Sequence, residues 1–218
     1  MPSNSPRIAL IHALSHAVEP INAVLARDWP SAMRMNLLDD SLSADLAASG
    51  QGQDAAMQLR FSRLAQYAIG TGCQAILFTC SAFGACIEAV AAQHPLLPVL
   101  KPNEAMVEDA AALGQRVGLI ASFAPTLVSM PLEFPAHLPL DTALANGAMA
   151  ALNAGDGSGH DALVLQAAQL LAAKGCQAIA LAQFSMARAA PLVQERTGLR
   201  VLTPVDSAVA KLKRLLLA

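Results

Sequence analysis

The sequence predicts an α/β protein of two like halves, each a four-stranded parallel sheet flanked by helices, the halves related by a pseudo-two-fold. Three observations predict it. Short apolar runs alternate with Ala-rich stretches of helical spacing along the whole chain, as in successive βαβ units. The runs are almost continuously apolar, as strands covered on both faces are. The pentapeptide GCQAI occurs at Gly72–Ile76 and again at Gly175–Ile179, which marks an internal repeat.

The expected strands, in order, are RIALIH (7–12), RMNLLD (34–39), QAILFT (74–79), LPVL (97–100), RVGLIA (116–121), HLPLD (137–141), QAIALA (177–182) and LRVLT (199–203). Between them, QDAAMQLRFSRLAQYAIGTG places Ala56, Leu59, Arg60, Arg63, Leu64 and Tyr67 on one helical stripe, and Gly70 and Gly72 close it. HDALVLQAAQLLAAKG repeats the pattern in the second half and also ends at a glycine. NAGDGSGH (153–160) reads as a polar loop, and Asp39–Asp40 as a cap and turn after the second strand. RIALIHALSHAVEPI lines up with RVGLIASFAPTLVSM, and LPVLKPNEAMVEDA with LRVLTPVDSAVAKL. The expected domains are 1–114 and 115–204, with a last helix, 205–218, returning to pack on the first.

The totals exclude several classes. Of 218 residues, 55% are hydrophobic and 14% charged, too apolar for a disordered chain. A net charge of −2 with 4% aromatics leaves neither a basic footprint nor a stacking platform for nucleic acid. No apolar run reaches the roughly 18 residues of a membrane span. MPSNSPR lacks the layout of a secretion leader, so a cytoplasmic protein is expected. The four cysteines, Cys73, Cys80, Cys86 and Cys176, form no CxxC and no zinc spacing. They are expected to be free thiols, with no metal.

Ligands of open parallel sheets sit beyond the carboxyl ends of the strands. With two such domains the expected site is a cleft between them. The residues just after strands are then the candidates: His12, Ser15 and His16; Thr79, Cys80 and Ser81; Ser122, Phe123 and Thr126; Gln183, Phe184 and Ser185. Cys80 stands out because it precedes a helix expected near Ala82, where free N–H groups and the helix dipole lower a thiol pKa. Burial in a tight turn is the competing reading. Cys73 and Cys176 fall at the same place in both repeats and read as packing.

LFTCSAFG resembles the first cysteine motif of the aspartate/glutamate racemase superfamily, which also holds hydantoin racemases, maleate isomerases and arylmalonate decarboxylases. QAIALAQFSMA is similar to its second motif, VGLIASFAPTL to its hydroxyl-bearing carboxylate loop, and LPVLKPNEAM and LRVLTPVDSA to its two closing segments. The resemblance covers nearly the whole chain. It implies a cysteine enzyme without cofactor, acting on a small carboxylate, and a homodimer as partner, since members often pair. Racemases of this family use two cysteines on opposite faces of the substrate. Here the resemblance assigns Cys80 to the first position and Gln183 to the second.

An amide cannot exchange a proton with carbon at neutral pH, although it can hydrogen-bond a carboxylate. Two-thiol racemisation therefore needs another group, and His12 and His16 are the candidates. The decarboxylases also work with one cysteine, but at the second position. The reading is a one-thiol, isomerase-like or racemase-like enzyme moving a proton alpha to a carboxylate. The loops carrying His12, Ser15, Thr79, Ser81, Ser122, Phe123, Thr126, Phe184 and Ser185 would contact substrate. A decarboxylase or other lyase, and a non-catalytic small-molecule binder, are the rival readings.

Overall fold

The computed structural model describes residues 5–49 and 52–217. The first residues of MPSNSPR, on which the leader reading partly rests, lie outside them, as does the last residue of the expected helix 205–218. The strands are β1 (Arg7–His12), β2 (Met33–Leu38), β3 (Ala75–Phe78), β4 (Val99–Leu100), β5 (Val117–Ala121), β6 (Leu140–Leu144), β7 (Ala178–Leu181) and β8 (Arg200–Leu202). The helices are α1 (Val18–Asp28), α2 (Ser41–Ser49), α3 (Ala55–Gly70), α4 (Gly84–Gln93), α5 (Glu104–Leu113), α6 (Thr126–Ser129), α7 (Ala148–Asn153), α8 (Gly157–Ala173), α9 (Ala190–Thr197) and α10 (Pro204–Leu217). Two all-parallel sheets result, ordered β2-β1-β3-β4 and β6-β5-β7-β8. The expected fold class holds, and the two sheets repeat one topology strand for strand.

The chain forms two compact units, residues 1–102 with 208–218, and residues 103–207. Helix α5, which the sequence reading kept with the first half (1–114), belongs to the second unit. Its Met106, Val107 and Ala110 pack with Val117, Leu119 and Ala121 of β5. Hydrophobic burial decides this membership, and a boundary read from glycine and polar residues misses it. Beyond Ala208, α10 belongs to the first unit, where Lys213 Nζ donates to the Asp28 carbonyl at the end of α1 (2.9 Å).

In the first unit, one sheet face places Ala9, Ile11, Ile76 and Phe78 against Met57, Phe61, Ala65 and Ala68 of α3 and Cys86, Ile87 and Val90 of α4. The buried stripe of α3 therefore runs through Met57 and Phe61, one position away from the stripe expected through Ala56 and Arg60. Leu59 and Tyr67 are exposed. Their apolar character misled the periodicity, because large aromatic Phe61 outweighs them by stacking on Phe78 and Phe83, with centroids at 5.3 and 4.9 Å.

The central strands β1, β3, β5 and β7 are the continuously buried ones, whereas edge strands β2 and β6 alternate in exposure. Strand β6 begins three residues later than expected. Pro139 has no N–H for the ladder, so it contributes only its carbonyl, to Val117 N–H (2.9 Å), and pairing starts at Leu140. NAGDGSGH is mostly helical: Asp156 caps α8 by accepting from Gly159 N–H (2.8 Å), and the polar residues are the helix start.

Gly118 of β5 permits the closest helix–sheet approach. A Cβ there would lie 2.8 Å from Leu171 Cδ1, 3.0 Å from Leu171 Cβ and 3.1 Å from Ile179 Cδ1. The repeat places Ala9 at the matching position of β1. Gly118→Ala is expected to lower unfolding stability by about 1–3 kcal/mol in urea titration, because the fully buried Leu171 must move away. Gly70→Ala, with nothing within 4 Å, is the control expected to cost nothing.

Candidate active site

Strands β1 and β3 are neighbours at the centre of the first sheet, and the chain leaves them toward opposite edges. Their carboxyl ends form the switch point where doubly wound sheets bind ligands. A shallow, closely packed crevice lies there, lined by Ile11, His12, Ala13, Leu42, Phe61, Phe78 and Cys80. One thiol and one imidazole interrupt an otherwise apolar wall.

Cys80 has extended backbone (φ −124°, ψ 118°) and is half-buried, while Cys73, Cys86 and Cys176 are fully buried. Burial pushes the Cys80 thiol above its ordinary range, and hydrogen bonds from the Ala82 backbone and the Ser43 side chain offset this only in part. The expectation of a lowered pKa is thus reversed. A three-residue 3-10 turn, Ser81–Phe83, follows the cysteine, and α4 starts only at Gly84. So short a turn carries little dipole, and desolvation by Leu42, Phe61 and Phe78 wins. At neutral pH Cys80 keeps its proton.

His12 is fully buried. Its Nε2 lies 3.0 Å from Asn36 Oδ1, and its Nδ1 lies 2.9 Å from Thr79 Oγ1. An amide oxygen only accepts, so Nε2 carries the hydrogen; burial lowers the imidazole pKa against the pull of Asn36, and neutral Nδ1 accepts from Thr79. Asn36 and Asn22 pair reciprocally (2.8 and 3.2 Å), and Asn22 Nδ2 donates to Val18 O (2.7 Å). This chain of side chains crosses β2, β1 and the end of β3. Both ring nitrogens of His12 are thus hydrogen-bonded, to Thr79 and to Asn36. His16 is exposed beyond the strand end.

Helix α2 covers the crevice with Leu42, which is 1% exposed. Arg60 of α3 holds it, donating to Asp39 (2.8 Å), Asp45 (2.6 Å) and Ser41. Burial raises the Asp39 carboxyl, and the bonds from Ser41 and Arg60 outweigh this and leave it low. Gln53 binds Ala82 O (2.8 Å) and accepts from Cys86 N–H (3.1 Å), fixing the turn after Cys80. Ser43 donates to Ala13 O (3.0 Å). Sequence reasoning missed Ser43, Gln53, Asn22 and Asn36. Asn36 alone carried a signal, as an amide inside an apolar strand.

In the second unit the same switch point lies between β5 and β7. Gln183 repeats the backbone of Cys80 (φ −120°, ψ 149°). Its Oε1 accepts from the Ser122 N–H (3.1 Å) and Ser122 hydroxyl (3.4 Å), and its Nε2 donates to Thr126 Oγ1 (3.0 Å). Gln183, Ser122 and Thr126 thus form one uncharged cluster. Ser15 and Phe123 are exposed, and Ser81 is half-buried. Phe184 and Ser185 are buried at 3% and 8%. The Phe184 ring belongs to the interior, which corrects its reading as a substrate contact. Among the described residues no group of three metal-ligating side chains occurs, and no helix is long and apolar enough to cross a membrane.

Comparison with known proteins agrees with this topology. The Asp/Glu/hydantoin racemase family model matches residues 15–212. No curated protein matches the chain. Among solved structures, allantoin racemase from Klebsiella pneumoniae superposes with TM-score 0.73 at 18% identity, covering 98% of this chain and 88% of that one. A glutamate racemase isoform from Bacillus anthracis gives 0.72 at 11% identity, covering 99% and 82%. An arylmalonate decarboxylase mutant in a sulfate-associated form gives 0.69 at 19% identity, covering 97% and 93%. At these identities the likeness is one of fold.

The state of His12 has a measurable consequence. Its folded pKa lies below the unfolded value of 6.5, so the folded state binds fewer protons than the unfolded one as pH falls past that value. Its contribution is complete above 6.5 and lost on acidification through the folded pKa. Unfolding free energy is expected to fall with a slope approaching about 1.4 kcal/mol per pH unit in that window. His12→Gln should flatten the slope in urea titrations run from about pH 7.5 to about pH 5. An unchanged slope would place the titrating group elsewhere.

Proposed function

This chain belongs to the Asp/Glu/hydantoin racemase family, and from that premise we propose a one-thiol enzyme that moves a proton at the carbon alpha to a carboxylate of a small substrate. Cys80 is the proton donor. The observation that carries this reading is a partly accessible thiol just after β3, at the switch point of the first sheet, whose pKa burial raises. A thiol that keeps its proton at neutral pH is matched to protonating a carbanion. Gln183 is unable to return a proton from any face. With Ser122 and Thr126 it forms, within the second unit, a cluster of neutral groups of the kind that hydrogen-bonds a carboxylate.

The retained proton favours a lyase over an isomerase. In decarboxylation of a substituted malonate, the bond from the alpha carbon to one carboxylate breaks, and its electron pair remains as an enediolate. Carbon dioxide leaves. The Cys80 S–H proton goes to carbon, and the thiolate regains a proton from water. An isomerase beginning with C–H abstraction needs the thiolate first, which burial disfavours. The reaction is expected to proceed in the cytoplasm and to require no cofactor.

Incubation in deuterated water with amino acids, hydantoins, maleate and substituted malonates tests the reading by product NMR. One deuterium at the alpha carbon, in one configuration, with loss of carbon dioxide from a malonate, is the expected result. Cys80→Ala should lower turnover by about 10²–10⁴-fold while leaving the fold intact. Full racemisation with exchange, or turnover retained by Cys80→Ala, would contradict the assignment.

A further inference from the structure

We propose that Asn103 is a positioning residue for the Gln183 carboxamide, acting through Met130 and the single helical turn α6. The inference rests on reading the Gln183, Ser122 and Thr126 cluster as the part of the site that meets a carboxylate. All of these residues belong to the second unit, 103–207. Asn103 stands at the N-cap of α5 and is 2% exposed, yet its side chain makes no cap bond. Its Nδ2 donates instead to the Met130 sulfur (3.5 Å), and its Oδ1 has no hydrogen-bond partner among the described residues. Both features oppose stability, because a buried acceptor without a donor is penalised and a thioether accepts only weakly. The fold itself does not require the amide. The internal repeat sets LPVLKPN against LRVLTPV, so Asn103 corresponds to Val205, which is fully buried. A buried polar group kept where its repeat uses valine marks a functional constraint.

The contacts of Asn103 lead to Gln183. Met130 is buried and closes α6, its N–H donating to the Thr126 carbonyl. Thr126, at the other end of the same turn, accepts from Gln183 Nε2 (3.0 Å), and Gln183 Oε1 accepts from the Ser122 N–H (3.1 Å). Helix α6 has only four residues, with Val128 and Ser129 exposed, so it has no stability of its own. It is held by Thr126 at its start, by Met130 at its end, and between them by Leu127, which packs on the core formed by α5 and the second sheet. An unbranched thioether adopts several rotamers. The bond from Asn103 selects one of them and so fixes the end of the turn. The Thr126 hydroxyl then meets the Gln183 amide in one geometry, as a binding group held by its supporting contacts must.

Nitrogen-15 NMR of the Gln183 side-chain amide, assigned with Gln183→Met, tests this without any substrate. Asn103→Val should shift the Gln183 amide resonances and speed their exchange with water by roughly threefold to tenfold, the worth of one hydrogen bond. The urea midpoint of the same variant should not fall, because valine occupies the repeated position. Met130→Leu keeps the apolar volume, removes the sulfur and should reproduce the change at Gln183. The double variant should add nothing to either single one. Unmoved Gln183 resonances in Asn103→Val, a lowered urea midpoint, or effects of the two substitutions that simply add would each overturn the proposal. Because the readout needs no turnover, that failure is separable from failure of the proton-transfer reading, which isotope incorporation decides.

Discussion

Desolvation of one sulfur is the constraint on which the proposed chemistry rests. Cys80 is placed by topology, since β1 and β3 are adjacent and their loops diverge. What surrounds it is a matter of packing. Leu42, Phe61 and Phe78 line its crevice and offer no charge. A thiol can protonate a carbanion only if it still holds its proton. Burial supplies that condition more surely than any neighbouring residue in the crevice.

Around the sulfur, polar side chains are used for rigidity. The Asn22–Asn36–His12–Thr79 chain links the carboxyl ends of three strands. Arg60 binds α2 at Ser41 and Asp45 and the residue Asp39 before it, and Gln53 ties the segment after α2 to the turn that follows Cys80. None of these bonds is individually large, and the exposed ion pairs contribute little to stability. Their common effect is to fix the strand ends, α2 and the turn after Cys80 in place. The second unit keeps the backbone of this arrangement and changes its chemistry. Gln183 stands in the conformation of Cys80, yet its amide is bound to Ser122 and Thr126.

The fold was legible because it repeats. GCQAI fixed the equivalence of β3 and β7, and continuous apolar runs identified the central strands. Cys80 and Gln183 followed from that register, and so did the Ser122 and Thr126 loop. The rest depended on contacts that spacing does not encode. Leu59 and Tyr67 are as apolar as core residues but face solvent, because the helix turns Phe61 inward. Helix α5 joins the second unit through Met106 and Val107. A helix dipole at Cys80 was a fair expectation from LFTCSAFG, but a three-residue turn intervenes and aromatic burial reverses the sign. Ser43, one of several serines in DDSLSADL, carried no mark at all.

The central claim is that Cys80 rests as a neutral thiol, and the most direct test is the infrared S–H stretching band at neutral pH in the difference between wild type and Cys80→Ala. The account predicts that the substitution removes an S–H band characteristic of an apolar, weakly hydrogen-bonded thiol. A difference spectrum without that band, accompanied by loss of ultraviolet thiolate absorbance, would show that the sulfur rests as an anion and would contradict the account.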